Sequence, residues 1–271
     1  MSLSRRDFVR LTSGATAALG LTAAEARAAS LARLGATTPV DPAAPLDDPG
    51  YKALAMQALD AAKAAGAQYA DVRINRNRTQ SIFTRERRVQ GLTDNDTLGF
   101  GVRVLVDGAW GFASSSVLTA DEVARVARQA AAQAKANKAT QRRPVMLAPP
   151  TAVERDGRWR SPIRQDPFDV PVAEKVALLL DANAAALKVQ GARFVNSNMF
   201  FLREEKTLAN TDGTYVVQTI YRTQPGMTVT AVSPTMSDFQ SRQSTDVQPK
   251  GLGWEHVLSA KLVENAPRWA E

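Results

Sequence analysis

The stretch that most constrains this chain is Leu98–Ala113, LGFGVRVLVDGAWGFA. Phe100, Val102, Val104 and Val106 alternate with smaller or polar residues, the period-two pattern of a strand with one buried face. Asp107-Gly108 follows, a dipeptide suited to a tight hairpin because glycine accepts positive φ without a steric cost. Ala109–Ala113 then returns with Trp110 and Phe112 on one face. Gly99, Gly101 and Gly111 carry no side chain, so something is expected to pack close to this ribbon, namely strand on strand. A chain holding such a hairpin is expected to build an antiparallel sheet around it.

The remaining elements follow from periodicity. Residues 51–66 carry Leu54, Met56, Leu59, Ala62 and Ala65 at helical spacing, with Gly66 as the stop. A strand is expected at 69–74, with short strands at 81–84 and 88–90 around a turn. Asp94-Asn95-Asp96 reads as a loop leading into the hairpin. Thr119 is placed to cap a helix from Ala120 to about Ala136, with Glu122 completing a capping box. The proline-broken stretch 137–171 is expected to cross the surface with little regular structure. A second helix is expected at 172–189, closed by Gly191. Short strands follow at 193–197, 199–204, 206–210, 215–221 and 227–232. Residues 238–250 read as polar and mobile, and 254–263 as a short helix. Helices and runs of strands segregate, so the fold class is α+β: a mostly antiparallel curved sheet covered by helices, with a helix–meander–helix order occurring twice.

The first residues read as an address. Arg5 and Arg6 with Phe8 resemble a twin-arginine export motif, a mildly apolar run follows, and Ala26 and Ala28 supply the small residues a signal peptidase reads. Residues 1–28 are therefore expected to be a signal peptide, which places the mature protein in the periplasm or outside the cell with the export machinery as a partner. The apolar run is too short and too rich in Ala, Gly and Thr for a stable membrane span. Residues 29–50, with Pro39, Pro42, Pro45 and Pro49, are expected to be a linker. Residues 51–271 form the folded domain.

Chemistry is sparse. The chain has no cysteine and one histidine, His256. Disulfides, thiolate sites and multi-histidine metal sites within this chain are thereby excluded. His256, flanked by apolar residues, is expected to be structural or on the surface rather than catalytic. Glu204-Glu205 reads as a solvated strand edge, and Arg73, Arg76, Arg78, Arg85, Arg87 and Arg88 as a solvated face and turn. Gly99-Phe100-Gly101 lies inside a strand and opens no helix, so it is not a phosphate loop. The net charge of +7 comes without a dense basic stripe interleaved with aromatics, so nucleic acid is not an expected partner. No catalytic and no metal-binding residue is assigned.

Three motifs taken together resemble the N-terminal half of the TldD/PmbA family. They are Gly66–Arg73 with Asp71 and Arg73, the hairpin with Gly99, Gly101, Arg103, Gly108 and Gly111, and Asn210-Thr211-Asp212-Gly213. The resemblance runs from about Tyr51 to the C-terminus and leans towards the TldD side. It implies a metallopeptidase or its non-catalytic partner, acting as a homo- or heterodimer with a TldD/PmbA-like subunit on an extended peptide. In that family the zinc motif, His-Glu-three residues-His completed by a cysteine, lies C-terminal to the matched region. The resemblance therefore implies that zinc belongs to a C-terminal half absent here, and that this chain is a fragment supplying cavity wall and dimer contacts. The alternative is a non-enzymatic periplasmic peptide-binding or scaffold subunit. Gly99–Val104 and Tyr215–Tyr221 are the strands expected to present a sheet edge to the peptide.

Overall fold

A computed structural model describes residues 44–150 and 156–271. The expected signal peptide, with Arg5, Arg6, Phe8, Ala26 and Ala28, lies outside the described residues. The described residues form seven strands in one sheet and five α-helices. The fold class is the α+β arrangement expected from the sequence. In order, the elements are α1 Pro49–Ala64, β1 Tyr69–Arg85, β2 Arg88–Val106, β3 Ala109–Ser115, α2 Ala120–Asn137, β4 Gly157–Arg160, α3 Val172–Ala186, β5 Ala192–Asn210, β6 Tyr215–Val232, β7 Phe239–Gln243, α4 Trp254–Ala260 and α5 Leu262–Ala270.

The sheet order is β3-β2-β1-β5-β6-β4, and β7 also pairs with β6. All pairings are antiparallel except β4 with β6. Several expected short strands are single long ones. β1 runs unbroken through the expected gap at 75–80, and β5 and β6 each merge two or more expected pieces. Asp94-Asn95-Asp96 is not a loop. It lies within β2, opposite Gln80, Thr79 and Arg78 of β1. Residues 239–243 of the expected mobile stretch pair with 228–232.

The helices all pack on one face of the sheet. Alternate residues of β1 show this, since Val72 and Ile74 sit in a cluster under α1 and α2, while Ile82 sits in a second cluster under α3, α4 and α5. Thr119 Oγ1 accepts from the Glu122 amide at 3.4 Å and starts α2. The Glu122 carboxylate, expected to complete the box, holds Arg125 instead, with both contacts at 2.7 Å. Gly111 explains how α2 lies so close. A Cβ there would meet the carbonyl oxygen of Ala130 at 2.0 Å and the Ala134 amide nitrogen at 2.5 Å. The close packing at Gly111, expected to be strand on strand, is instead helix against strand. Within the stretch read as linker, Leu46 is buried in the first cluster, and its carbonyl accepts from Thr207 Oγ1 at 3.2 Å. Lys261, at φ 46°, divides the expected C-terminal helix into α4 and α5.

Between the two apolar clusters runs a charged belt on the same face. Arg78 binds Asp94 through two contacts, at 3.2 and 3.1 Å, and Gln80 Nε2 donates to the same carboxylate at 2.8 Å. Lys175, fully buried on α3, donates to Gln80 Oε1 at 2.5 Å and lies 4.8 Å from the Phe201 ring centre. Phe168 lies between the guanidinium groups of Arg78 and Arg203, at 4.7 and 5.7 Å. Glu205, read as part of a solvated edge, belongs to central strand β5 and lies 3.7 Å from buried Arg76. The arginines read as one solvated face therefore divide three ways. Arg76 and Arg78 join the belt, Arg73 faces the open side, and Arg85, Arg87 and Arg88 surround the β1–β2 turn.

Candidate functional site

The opposite face of the sheet carries no helix among the described residues. Its surface is the other set of alternate side chains, including Asn75, Asn77, Thr79 and Ser81 of β1 and Thr93, Asn95 and Thr97 of β2, none of them buried. Near its β3 end lies a trough of about 610 Å³. Gly99 and Gly101 give it a floor of bare backbone. A Cβ on Gly101 would meet the Phe112 ring at 2.7 Å, and one on Gly99 would meet the Ser115 carbonyl at 3.3 Å.

Five of the motif residues come together here: Asp71, Arg73, Gly99, Gly101 and Arg103. Asp71 is almost fully buried and sits directly between Arg103 on β2 and Asn210 on β5. Its carboxylate accepts from Arg103 Nε at 2.8 Å and Nη2 at 2.6 Å, and Arg73 Nε lies at 3.6 Å. The Arg103 guanidinium stacks 4.6 Å from the Trp110 ring, which meets Tyr69 edge-on at 5.9 Å. Burial, followed by the Asp71 charge, raises the Tyr69 pKa. Two arginines around one carboxylate leave the trough wall net positive and rigid, since the buried acid is fully engaged.

The other motif residues hold turns. Gly108, at φ 76°, completes the β2–β3 turn beside Asp107 at φ 50°, as the Asp-Gly pair predicts. Its carbonyl accepts from the Val145 amide at 2.8 Å, which anchors the start of the proline-rich stretch. Gly213, at φ 92°, closes the β5–β6 turn, where Asn210 Oδ1 accepts from the amides of Asp212 and Thr214 at 3.1 and 2.9 Å. Gly111 seats α2. None of these three glycines lines the trough.

The edges of the sheet differ from expectation. Gly99–Val104 is interior, because β1 covers one side and, from Phe100 onward, β3 covers the other. Tyr215–Tyr221 pairs with β5, and β4 occupies its outer side at Val216–Thr219. The outer side of β6 is further closed by the Thr223–Lys250 bridge and by β7. β3, β4 and β7 are each paired on one side only, but the longest unpaired stretch among the described residues is Arg88–Gly99 of β2. β3 stops opposite Phe100, and no described strand pairs beyond it. This edge was hidden in the sequence because its register depends on β1 continuing to Arg85. Such an edge displays a row of unpaired backbone donors and acceptors, a template for another extended chain.

Among the described residues, no group of three or more His, Asp or Glu side chains converges. His256 is buried, its Nε2 lies 2.8 Å from the Gln248 carbonyl, and burial lowers its pKa. Sequence reading also missed Asp166 and Tyr221. The Tyr221 hydroxyl donates to Asp166 Oδ2 at 2.6 Å, and burial together with that bond pushes its pKa up to about 12. No described helix is long and apolar enough to cross a membrane.

The family model described as PmbA/TldA metallopeptidase domain 1 matches residues 70–134, which span β1 through most of α2. The model of the PmbA/TldA metallopeptidase central domain matches residues 165–267. A protein of Methanothermobacter thermautotrophicus named as a metalloprotease is 27% identical over 201 residues, covering 74% of this chain and 41% of its own length. The chain thus spans less than half of that relative. Two solved structures share the fold. A candidate modulator of DNA gyrase from Thermotoga maritima aligns with a TM-score of 0.60 at 15% identity, over 81% of this chain and 47% of that one. A second candidate modulator, from Bacteroides thetaiotaomicron, aligns with a TM-score of 0.58 at 18% identity, over 80% and 50%.

Proposed function

Because the chain is PmbA/TldD-like over its two matched regions, we propose that it is the peptide-holding, non-catalytic N-terminal portion of an exported TldD-type zinc metallopeptidase. In this role the open sheet face forms one wall of the peptide cavity, and a TldD/PmbA-like subunit, identical or different, completes the dimer. The zinc donors come from outside the described residues, whose side chains offer no donor set for the metal. No hydrolytic step is therefore assigned to any residue described here.

The observation that carries the proposal is the unpaired edge Arg88–Gly99 beside the trough. An extended peptide laid there gains main-chain hydrogen bonds that any sequence can make, while the trough takes alternate side chains. Fluorescence anisotropy with labelled dodecapeptides of unrelated sequence tests it. The expected result is similar affinities across the set and loss of binding when alternate peptide nitrogens are methylated. Binding that survives methylation contradicts edge pairing. Peptide cleavage by the purified chain alone contradicts the non-catalytic assignment. Reading the coding sequence downstream of Glu271 for a His-Glu-three residues-His motif tests where the metal centre lies.

A further inference from the structure

The far end of the open edge carries a second feature. Arg85, Arg87, Arg88 and Arg193 line a pocket of about 530 Å³ whose apolar lining includes Leu187 and Phe194. Arg85 and Arg88 face one another directly across the hairpin. Like charges in that position are destabilising. The turn between them is also strained, because Glu86 adopts φ 46°, a left-handed conformation that glutamate rarely takes.

The surrounding structure holds this tip in place. The Glu86 amide donates to the Val195 carbonyl at 2.8 Å, and the Val195 amide donates back to Glu86 Oε1 at 3.3 Å. Asn183 Nδ2 on α3 donates to the Glu86 carbonyl at 3.0 Å. The Glu86 carboxylate, 3.3 Å from Arg85 Nε, is the one acid lining the pocket. Among the described residues, no carboxylate lies within ion-pair distance of Arg87, Arg88 or Arg193. The clamped turn places two unneutralised guanidinium groups, Arg87 and Arg88, at the end of the open edge, a charge complementary to a carboxylate.

Arg193 and Phe194 belong to β5, on the far side of β1 from this edge, whereas Arg87 and Arg88 stand at the start of β2 and give the edge a direction. β3 runs antiparallel to β2 and stops opposite Phe100. A peptide continuing in that line along Arg88–Gly99 has its N-terminus beside the trough and its C-terminus at Arg88. A parallel peptide would instead bring its terminal ammonium to the arginines. We infer that the edge binds extended peptides antiparallel to β2, with the free C-terminal carboxylate, or an acidic residue next to it, held by Arg87 and Arg88. This deepens the proposed function and rests on the edge pairing stated there.

The test uses the full chain and a labelled neutral dodecapeptide of Thr, Ser and Val, prepared with a free or an amidated C-terminus. The free acid is expected to bind about tenfold more tightly at low salt, the scale of one charge-assisted contact. That preference should shrink with added salt and disappear in the double variant Arg87→Gln/Arg88→Gln. A nitroxide on the peptide N-terminus should broaden the amide signal of Gly99 and spare that of Gly91. Proline placed singly at Leu92 and Thr93 blocks the edge. Adjacent residues of a strand point their N–H groups to opposite sides, so one of the two keeps the β1 pairing intact, and the variant that melts like the parent is the one used. That variant should lose both peptides.

Equal binding of acid and amide overturns the inference and leaves the edge reading standing. Binding of neither peptide overturns both. A carboxylate preference that survives the proline overturns the inference by assigning the arginines an anion site independent of the edge. Reversed broadening, strongest at Gly91, overturns the direction. Sedimentation of the chain alone as a dimer that the same proline dissociates gives the edge to a second copy, and this also overturns the inference.

Discussion

Gly111→Ala is the sharpest perturbation of the fold that positions the open face. The added methyl would lie 2.0 Å from the Ala130 carbonyl oxygen and 2.5 Å from the Ala134 nitrogen, both backbone atoms of α2. Ordinary contact begins near 3.4 Å, so the helix must retreat by about 1.4 Å. Val123, Val126, Ala127, Ala130, Ala131 and Ala134 are all buried on α2 and move with it. A gap of 0.5–1 Å already forfeits roughly a quarter to a half of each contact's dispersion well. Overpacking against flexible side chains costs about 1–3 kcal/mol, and a clash with helix backbone belongs at the top of that range. The loss of unfolded-state entropy on replacing glycine returns about 0.4–1 kcal/mol. A net loss of about 2–3 kcal/mol remains. That lowers the melting temperature by about 4–12 °C for a domain of this size. Differential scanning calorimetry reads it, with Gly91→Ala as control, because a methyl there meets no atom within 4 Å. A Gly111→Ala protein melting within 2 °C of the Gly91→Ala protein would refute the packing of α2 on β3.

Leu46→Ala removes a side chain that is 2% exposed, so chemical denaturation should show a loss of about 2–5 kcal/mol; a change below about 0.5 kcal/mol would mean that residues 44–50 are not part of the core. Asp71→Asn leaves Arg103 and Arg73 without their carboxylate, which should lower stability by about 1–3 kcal/mol in denaturant titrations, and ultraviolet titration should show the Tyr69 phenol falling towards its ordinary pKa, because the Asp71 charge helps raise it. Burial lowers the His256 pKa below 6.5, so below that pH the unfolded chain binds the extra proton. Stability linked to His256 is therefore complete above pH 6.5 and is lost as pH falls through its lowered folded pKa. His256→Gln should flatten that part of the stability–pH curve, and an unchanged slope would count against a buried neutral imidazole.

The legible part of the fold was whatever repeats locally. The alternation in Phe100–Val106 and the Asp-Gly turn identified the hairpin, and those four apolar residues are all buried. The helices at 120 and 172 were visible in their apolar spacing. The lengths of the strands were not. Asp94-Asn95-Asp96 carries turn-type residues, yet it remains in β2 because Arg78 and Gln80 supply its partners from across the ladder, a long-range contact that outweighs local propensity. Glu205 looked solvated for the same reason, since only the fold brings Arg76 beside it. At the site, Asp71, Arg73, Gly99, Gly101 and Arg103 were marked by motif and do share one trough. The open edge was assigned to other strands, because an edge is defined by which strand stops first, and β3 stops opposite Phe100.

In the proposed function, Arg88–Gly99 pairs with the backbone of an extended peptide. Amide hydrogen exchange on the full chain, with and without a saturating dodecapeptide, tests it residue by residue. Edge pairing should bring new protection at alternate amides of Arg88–Gly99, those pointing away from β1, with β6 unchanged. Saturation binding without protection in that segment, or with protection confined to other strands, would contradict it.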